Sequence, residues 1–356
     1  VSYLLNLCNG FDRDDVIVVA PTREGAEEVD GTLPYRVVRL EGTYLRATTK
    51  VRKAITETVR DLDVDAVHFL AALPLGRLGP RLRKDTHVPF TVVAHGTGEI
   101  LLPSRVPLAR QALKHVLTSA DVVFPVSGFT RSAVDRITRG KAKTSLLPPT
   151  VDTERFSLEV TGAQVRTELQ LGSAFTVFFV SRLVKRKGAD ILLRAIAAVP
   201  DVLCVVGGAG PERAALERLS RELEITDRVR FVGLIPDEPL PEYYAAADVY
   251  CMPCTTRYGG LDTEGFGVVY IEAQATGIPS IAGRCGGSAE AVIDRETGIV
   301  LDDPTPLSVA EAIVALRNDR ALAIRLGGAG RARMERDFAP AVAARRLEGA
   351  LNAVTA

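Results

Sequence analysis

The chain has 356 residues, of which 47% are hydrophobic and 25% are charged, and its 44 basic side chains balance its 44 acidic ones. This length predicts two domains, each large enough for its own hydrophobic core, and the composition is typical of a soluble globular protein. No apolar run approaches the roughly 18 residues that span a bilayer, and the odd number of cysteines argues against a disulfide framework, so we expect a cytoplasmic protein.

Short apolar, β-branched runs alternate with helical stretches along the chain. In the first half, strands are predicted at residues 16–20, 35–40, 66–70, 90–95 and 122–127. In the second half, they are predicted at residues 176–181, 202–207, 229–233, 249–253, 279–282 and 298–301. Continuous apolar runs separated by helices indicate parallel strands covered on both faces. The predicted fold class is therefore α/β, with two doubly wound, Rossmann-like sheets of five or six strands.

The segment 147–152, Leu-Pro-Pro-Thr-Val-Asp, divides these two sets of strands, because consecutive prolines exclude a helix. We predict a first domain over residues 1–150 and a second over residues 151–338. A final helix follows the Phe-Ala-Pro break at 338–340, and we expect residues 339–356 to pack back on the first domain.

Basic residues are concentrated in the first domain, where residues 1–150 hold 21 Lys and Arg against 16 Asp and Glu. The surplus lies at residues 77–84 and 105–115, and no acidic residue occurs between Ile100 and Ala120. A face that meets anionic lipid has this composition, and so does a solvated helix face. The lack of tryptophan, a common interfacial anchor, favours the solvated face.

Ligands of open α/β sheets bind beyond the carboxyl ends of the strands, so the loops at those ends are the candidate sites. The strand at 176–181 is followed by four cations in six residues, at Arg182, Lys185, Arg186 and Lys187, directly before a helix. Guanidinium forks, ammonium charges and the positive end of a helix together favour a diphosphate. A solvated basic turn is the alternative interpretation.

A glycine-rich turn, Gly-Gly-Ala-Gly-Pro-Glu at 207–212, follows the next strand. Its spacing and its position in the middle of the chain differ from those of a dinucleotide-binding fingerprint. The turn is therefore either a tight connection or a place where the backbone approaches a ligand.

Two carboxylates bracket a glycine-rich entry into a buried helix in the segment Glu264-Gly-Phe-Gly-Val-Val-Tyr-Ile-Glu272. The glycines would expose backbone N–H groups to hydroxyls or phosphate oxygens. Along a helix the carboxylates would lie about 12 Å apart, more than the roughly 5–10 Å of a pair that cleaves a glycosidic bond. This spacing favours two ends of one extended ligand, such as a nucleotide-sugar. Asp262 and Glu264 offer too few oxygen ligands for a hard cation, so no metal is predicted.

Two further motifs are ambiguous. His95 precedes Gly-Thr-Gly-Glu at a strand end, where it can reach a ligand or cap its own strand. Cys251-Met-Pro-Cys254 has a spacing found in redox and zinc sites, but it ends a strand, and the remaining cysteines offer no second pair of suitable spacing. We therefore predict neither role for the cysteines.

Together these motifs resemble those of the retaining glycosyltransferases of family 4, which have the GT-B fold. The resemblance rests on Ser181-Arg-Leu with Lys187-Gly, on Val-Gly-Gly-x-Gly-Pro-Glu212, and on Glu264-x7-Glu272 followed by Ala-Gln-Ala. Residues 256–264 and 272–279 are most similar to the actinobacterial GDP-mannose-dependent phosphatidylinositol mannosyltransferases. The resemblance covers nearly the whole chain and implies two Rossmann-like domains that face each other across a cleft.

The resemblance also implies a role for each site residue. In the catalytic set, Arg182 and Lys187 would hold the donor's diphosphate as the glycosidic bond breaks, Glu264 would bind the sugar hydroxyls, and His95 would contact the sugar from the first domain. The implied donor-binding residues are Phe266 and Gly267 at the sugar, Val268 and Val269 at a phosphate, Glu272 at the ribose, Gly208 in the glycine turn, and Ile235 and Asp237 beside the nucleobase. Retaining transfer by front-face attack would need neither metal nor cofactor.

The chain departs from this family pattern in three places. It opens at Val1-Ser-Tyr-Leu-Leu, which we interpret as the helix after the family's first strand and glycine-glycine loop, so that strand and loop are expected to be missing. The family's His-Gly-x-Glu turn is lengthened by one residue at 95–99, and Thr150 replaces the glycine of the interdomain Pro-x-Gly-Val-Asp.

We therefore predict a hexosyltransferase that moves mannose from GDP-mannose to a hydroxyl acceptor, with no nucleic-acid partner. The basic region favours a lipid-linked acceptor and peripheral contact with the inner face of the plasma membrane, whereas a soluble polyol or sugar is the alternative. The residues also fit a UDP-sugar transferase of the same fold or a catalytically inactive nucleotide-sugar binder. A nucleotide-sugar epimerase would need acid–base residues around the sugar that the sequence does not provide.

Overall fold

A computed structural model describes residues 2–42 and 44–355. It divides the chain into two compact units, one formed by residues 1–149 and 340–356 and the other by residues 150–339. Within the described ranges, no helix combines the length and the apolar character needed to cross a bilayer.

The first unit is built on five parallel strands. These are β1 (Ile17–Pro21), β2 (Arg36–Leu40), β3 (Val67–Phe69), β4 (Phe90–Ala94) and β5 (Val122–Pro125). β1 pairs with β2, and β3, β4 and β5 form a separate ladder in that order. All five residues of β4 are buried, which accounts for its uninterrupted apolar sequence.

Helices cover the strands of this unit. They are α1 (Ser2–Cys8), α2 (Ala26–Asp30), α3 (Thr49–Asp61), α4 (Gly79–Thr86), α5 (Pro107–Ser119) and α6 (Gly128–Thr138). The core beneath them is formed by buried side chains of α4, α5 and the strands, including Leu82, Phe90 and Leu113. α5 begins at a proline, which has no backbone N–H to leave unsatisfied at that position.

The second unit has a single sheet of six parallel strands. These are β6 (Phe175–Val180), β7 (Val202–Gly207), β8 (Val229–Gly233), β9 (Val249–Met252), β10 (Ser280–Gly283) and β11 (Gly298–Leu301). Their order in the sheet is β8-β7-β6-β9-β10-β11. This is the strand order of doubly wound nucleotide-binding domains, in which the connections reverse direction between the first and fourth strands. The loops after β6 and β9 therefore flank the crevice where such a sheet binds ligands.

The helices of the second unit alternate with these strands in sequence, except that the first helix precedes β6 and the last two follow β11. They are α7 (Ala163–Glu168), α8 (Ala189–Ala198), α9 (Arg213–Glu222), α10 (Leu240–Ala245), α11 (Val268–Ala275), α12 (Ser288–Ala291), α13 (Pro306–Asn318) and α14 (Arg320–Arg333). A last helix, α15 (Pro340–Thr355), belongs to the first unit and contacts α1 there. The turn after α1 also approaches the start of α15 closely, because a Cβ added at Gly10 would lie 2.5 Å from the Pro340 carbonyl oxygen.

Aromatic rings fill the core on one side of the second sheet. Phe178 is fully buried, and its ring centroid lies 5.1 Å from that of Tyr244 and 6.2 Å from that of Tyr250. Tyr250 in turn lies 5.6 Å from Tyr270 of α11. These edge-on contacts fix α10 and α11 against the strands.

All eleven predicted strands are present, and no boundary differs by more than two residues. The helix predicted at the start of the chain is α1. The expectation of one five-stranded sheet in the first half was wrong, since its strands form ladders of two and three. Among the described strands, no strand of one ladder pairs with a strand of the other.

Candidate functional site

The loop after β6 buries two of its four cations and exposes the other two. Residues Lys185–Lys187 form one 3-10 turn, which ends at Gly188 with φ +74°. Arg186 and Lys187 are buried, whereas Arg182 is exposed and forms no ion pair with any described residue. A Cβ added at Gly188 would lie 2.2 Å from the Pro253 carbonyl oxygen, so the glycine lets this loop approach the end of β9.

Glu264 lies in the loop after β9, and its carboxylate pairs with both buried cations. Its Oε2 atom lies 2.6 Å from Arg186 Nη1 and 2.6 Å from Lys187 Nζ. Arg186 Nε also donates to Asp262 Oδ1 at 2.9 Å. Only 13% of the Glu264 side chain is exposed, so these are charge-assisted bonds in a largely desolvated position.

The charge of Glu264 follows from this pairing. Burial alone would raise the pKa of its carboxyl group, but Lys187 and Arg186 outweigh burial and hold the pKa below its ordinary value. An ionised carboxylate only accepts hydrogen bonds. Its Oε1 atom accepts none from the described chain, so this atom can accept hydrogen bonds from the hydroxyls of a ligand.

Unused backbone amides lie at the start of α11, directly after Glu264. Gly267 has φ +101°, and a Cβ at this position would lie 2.6 Å from the Tyr270 ring, so glycine is needed here. The N–H groups of Val268 and Val269 find no acceptor among the described residues. Such amides at a helix start favour an anionic ligand. Phe266, which precedes Gly267, is buried, and its ring centroid lies 5.7 Å from that of Phe338.

Glu272 lies two turns further along α11 and has a different environment. Tyr244 Oη donates to Glu272 Oε2 at 2.8 Å. Burial raises the pKa of Glu272 to about 7, although the Tyr244 hydroxyl and Arg155 oppose this rise. Near neutral pH this carboxyl group therefore exists in both protonation states. A ligand hydroxyl that donates to it would favour the ionised form.

The predicted nucleobase loop, which contains Ile235 and Asp237, lies near Glu272. Asp237 is exposed, its carbonyl oxygen accepts from Arg155 Nη2, and its charge acts on Glu272. Ile235 is half-buried and lies against Gly207, where an added Cβ would be 2.7 Å from Ile235 Cδ1.

Gly208 is required by packing within the protein. It has φ +111°, and an added Cβ would lie 1.9 Å from the Ser181 carbonyl oxygen. Its N–H donates to the Gly233 carbonyl at 2.6 Å. The backbone that approaches this glycine is therefore that of Ser181, and the Gly208 amide is already used.

His95 lies in the first unit, at the end of β4. Its Nε2 atom lies 2.8 Å from the Leu70 carbonyl oxygen, and its ring is 5.2 Å from Tyr3. Burial lowers the pKa of His95, which favours a neutral ring with its proton on Nε2. The side chain of Glu99 accepts from the backbone N–H groups of His95 and Ala72. Glu99, at the end of the lengthened turn, therefore links the loop after β3 to the loop after β4 by hydrogen bonds.

The cysteines belong to the core. All five are buried and unpaired, and Cys254 Sγ lies 3.3 Å from Tyr270 Oη. Across residues 2–42 and 44–355, no group of three His, Cys, Asp or Glu side chains is placed to hold a metal ion.

Comparison with known proteins assigns the family. Residues 1–155 match the family model described as "Glycosyltransferase Family 4", and residues 165–333 match "Glycosyl transferases group 1". The chain is 39% identical over 325 residues to a protein of Mycolicibacterium smegmatis named GDP-mannose-dependent alpha-(1-6)-phosphatidylinositol monomannoside mannosyltransferase, covering 89% of this chain and 85% of that protein. It is 32% identical to the GDP-mannose-dependent monoacylated alpha-(1-6)-phosphatidylinositol monomannoside mannosyltransferase of Corynebacterium glutamicum. This match covers 98% of this chain and 93% of that protein.

Solved structures share the fold. Anabaena HepE in complex with UDP has a TM-score of 0.84 at 19% identity and covers 98% of this chain and 95% of its own. Sucrose-phosphate synthase from Thermosynechococcus elongatus has a TM-score of 0.76 at 28% identity, and the match covers 90% of this chain and 84% of the synthase. The architecture is that of a GT-B glycosyltransferase, as the sequence predicted. The chain belongs to glycosyltransferase family 4.

The structure brings together some of the predicted site residues and adds one. Lys187 and Glu264 are in contact, and Val268 and Val269 present free amides directly after Glu264. The sequence analysis included Arg186 among the four cations expected at a diphosphate but gave it no role of its own. The sequence carries no signal for this role, because nothing local shows which cation of the run 182–187 is buried beside Asp262.

The raised pKa of Glu272 makes stability depend on pH. Its pKa rises from 4.5 to about 7 on folding, so the folded protein keeps a proton that the unfolded chain releases. Stability therefore falls as pH rises from 4.5 to 7. We expect Glu272→Gln to reduce this fall and, at pH 8, to stabilise the ligand-free protein by on the order of 1–2 kcal/mol, allowing for partial exposure.

Urea unfolding at pH 5 and pH 8 measures this difference. The matched control is Glu238→Gln at an exposed carboxyl group, which should leave the pH dependence unchanged. Equal pH dependence in the wild type and Glu272→Gln would contradict the assigned environment of Glu272.

Proposed function

We propose that this protein is a mannosyltransferase that transfers mannose from GDP-mannose to a hydroxyl group of a mannosylated phosphatidylinositol lipid, with retention of anomeric configuration. The observation that carries the proposal is the cluster of Lys187, Arg186 and Glu264 at the carboxyl ends of β6 and β9, beside the free amides of α11. The names of the relatives from Mycolicibacterium and Corynebacterium support this donor and this acceptor class.

The donor's diphosphate is assigned to Lys187, Arg182 and the amides of Val268 and Val269. Lys187 contributes a flexible ammonium charge, and Arg182 is a cation with no competing carboxylate among the described residues. During transfer the bond between the sugar's anomeric carbon and the phosphate oxygen breaks, and the acceptor oxygen bonds to the same face of that carbon. The acceptor's proton passes to the leaving phosphate. Fixed positive groups that stabilise the leaving diphosphate are the main catalytic device in this scheme.

The sugar and the nucleoside are assigned to opposite ends of the segment 264–272. Oε1 of Glu264 accepts from the sugar hydroxyls, beside the backbone of Phe266 and Gly267. Glu272 accepts from the ribose, and Ile235 and Asp237 lie beside the base. Gly208 supports the donor site by letting the loop after β7 pack against Ser181. No step of this scheme requires a metal ion.

Contact with a membrane is assigned to the exposed end of α5. Leu102, Val106 and Leu108 are 48%, 54% and 81% exposed. A cavity of about 250 Å³ beside them is lined by three cations, Arg110, Lys114 and Arg139. Exposed apolar side chains next to a basic cavity suit the surface of an anionic bilayer, and a lipid acceptor makes such contact useful. We therefore favour a membrane-binding face here over a solvated helix face, although the chain has no tryptophan to act as an interfacial anchor.

Transfer activity and nucleotide binding separate the proposed enzyme from a nucleotide-sugar binder. Wild-type protein should release GDP from GDP-mannose and add a hexose to a phosphatidylinositol mannoside. Glu264→Gln should reduce transfer by at least about 100-fold, because it removes a charged acceptor from the reacting sugar. GDP binding should stay within about threefold of wild type by calorimetry, since Glu264 is assigned to the sugar.

Several outcomes of this experiment contradict the assignment. Tighter binding of UDP than of GDP would favour a UDP-sugar donor, and binding without turnover by the wild type would favour an inactive binder. A large loss of GDP affinity in Glu264→Gln would remove Glu264 from the sugar.

Membrane contact can be tested with vesicles. Replacing Arg110, Lys114 and Arg139 by Gln should weaken binding to vesicles containing phosphatidylinositol by about 100-fold, since each cation near an anionic surface contributes about 1 kcal/mol. The control removes three exposed cations of the same unit, Arg131, Arg136 and Lys141. Equal losses in both variants would assign the effect to overall charge and contradict the proposed surface.

A further inference from the structure

Two cations share one oxygen of Glu264. Arg186 Nη1 and Lys187 Nζ both lie 2.6 Å from Oε2, while Oε1 has no partner among the described residues. If Lys187 moves to the diphosphate of a bound donor, Glu264 must keep its charge in a largely buried position. A buried carboxylate that loses its partner is strongly destabilising.

Arg186 is held more firmly than Lys187. Its Nε donates to Asp262 Oδ1 at 2.9 Å in addition to the Nη1 bond to Glu264, and its carbonyl oxygen accepts from Thr255 N–H at 2.8 Å, while the two side chains are similarly buried, at 9% and 11% exposed. Lys187 makes a single side-chain bond, and its chain ends in a compact charge that can turn to a new partner. Arg186 therefore has a second carboxylate partner that holds its guanidinium in place, whereas the Lys187 ammonium has only Glu264.

We propose that Arg186 is a positioning residue that keeps Glu264 paired and oriented when Lys187 transfers its hydrogen bond from Glu264 to the donor's diphosphate. Asp262 fixes the guanidinium for this purpose. The inference rests on the proposed function in one respect, that Lys187 binds the diphosphate. It assigns to Arg186 an action through Glu264, without direct contact with the phosphates.

A double-mutant cycle on GDP binding distinguishes action through Glu264 from direct phosphate contact. In the wild-type background, Arg186→Met should weaken GDP binding about tenfold, because moving Lys187 then leaves Glu264 unpaired. In a Glu264→Gln background, the same change should alter the GDP dissociation constant by less than about twofold, since no carboxylate remains to be neutralised. GMP has no second phosphate, so Arg186→Met should change the GMP dissociation constant by less than about twofold in both backgrounds.

The conservative variant and a matched control complete the experiment. Arg186→Lys retains the charge but loses one of the two bonds, so its loss of GDP affinity should be about threefold. Arg284→Met removes an arginine from the half-exposed ion pair with Asp302 and should leave GDP binding unchanged. If Arg186→Met does not fold, the same cycle is measured with Arg186→Lys. Arg186→Lys should then weaken GDP binding in the wild-type background and leave it unchanged in the Glu264→Gln background.

Equal losses of GDP affinity in the two backgrounds, or an equal loss for GMP, would overturn the inference. This failure is distinct from failure of the proposed function. A wild type that transfers no mannose would refute the mannosyltransferase proposal, while the binding cycle would still decide the role of Arg186.

Discussion

The arrangement of the site depends on the ion pair that joins the loop after β6 to the loop after β9. Arg186 and Lys187 are buried only because Glu264 and Asp262 neutralise them. Buried charges need partners at close range, so this pairing requires the two loops to meet. The strand order of the second unit places both loops at the same edge of the sheet, where its connections reverse direction. Gly188 permits the final approach to Pro253.

The segment 264–272, which leads into α11, carries two carboxyl groups with opposite electrostatic environments. Glu264, before the start of α11, is held ionised by two cations, whereas Glu272, inside it, has a pKa raised to about 7 by burial. The free amides of Val268 and Val269 lie between them in sequence. A ligand along this segment would meet a fixed negative charge, then a positive helix end, then a carboxyl group whose charge depends on pH. This order suits the sugar, phosphate and ribose of one nucleotide-sugar.

The eleven strands could be predicted because buried parallel strands leave uninterrupted apolar runs. The rule that ligands bind beyond strand ends selected the loops after β6 and β9 as candidate sites. Other features depend on tertiary packing. Which cation of the run 182–187 is buried depends on where the 3-10 turn begins, so Arg186 could not be distinguished from Arg182. The turn at Gly208 was expected to be either a tight connection or a place where the backbone approaches a ligand, and the sequence does not say that the close neighbour of Gly208 is the Ser181 carbonyl. The split of the first sheet into two ladders also has no local signal.

The central claim is that the cluster around Glu264 receives the reacting end of a nucleotide-sugar, with the diphosphate at Lys187 and the hexose at Glu264 Oε1. A crystal structure of the protein soaked with GDP-mannose tests it most directly. We expect the diphosphate within hydrogen-bond distance of Lys187 Nζ and the amides of Val268 and Val269, and a sugar hydroxyl bonded to Glu264. Donor bound with its diphosphate away from Lys187, or with Lys187 still bonded to Glu264 and the sugar elsewhere, would contradict the account.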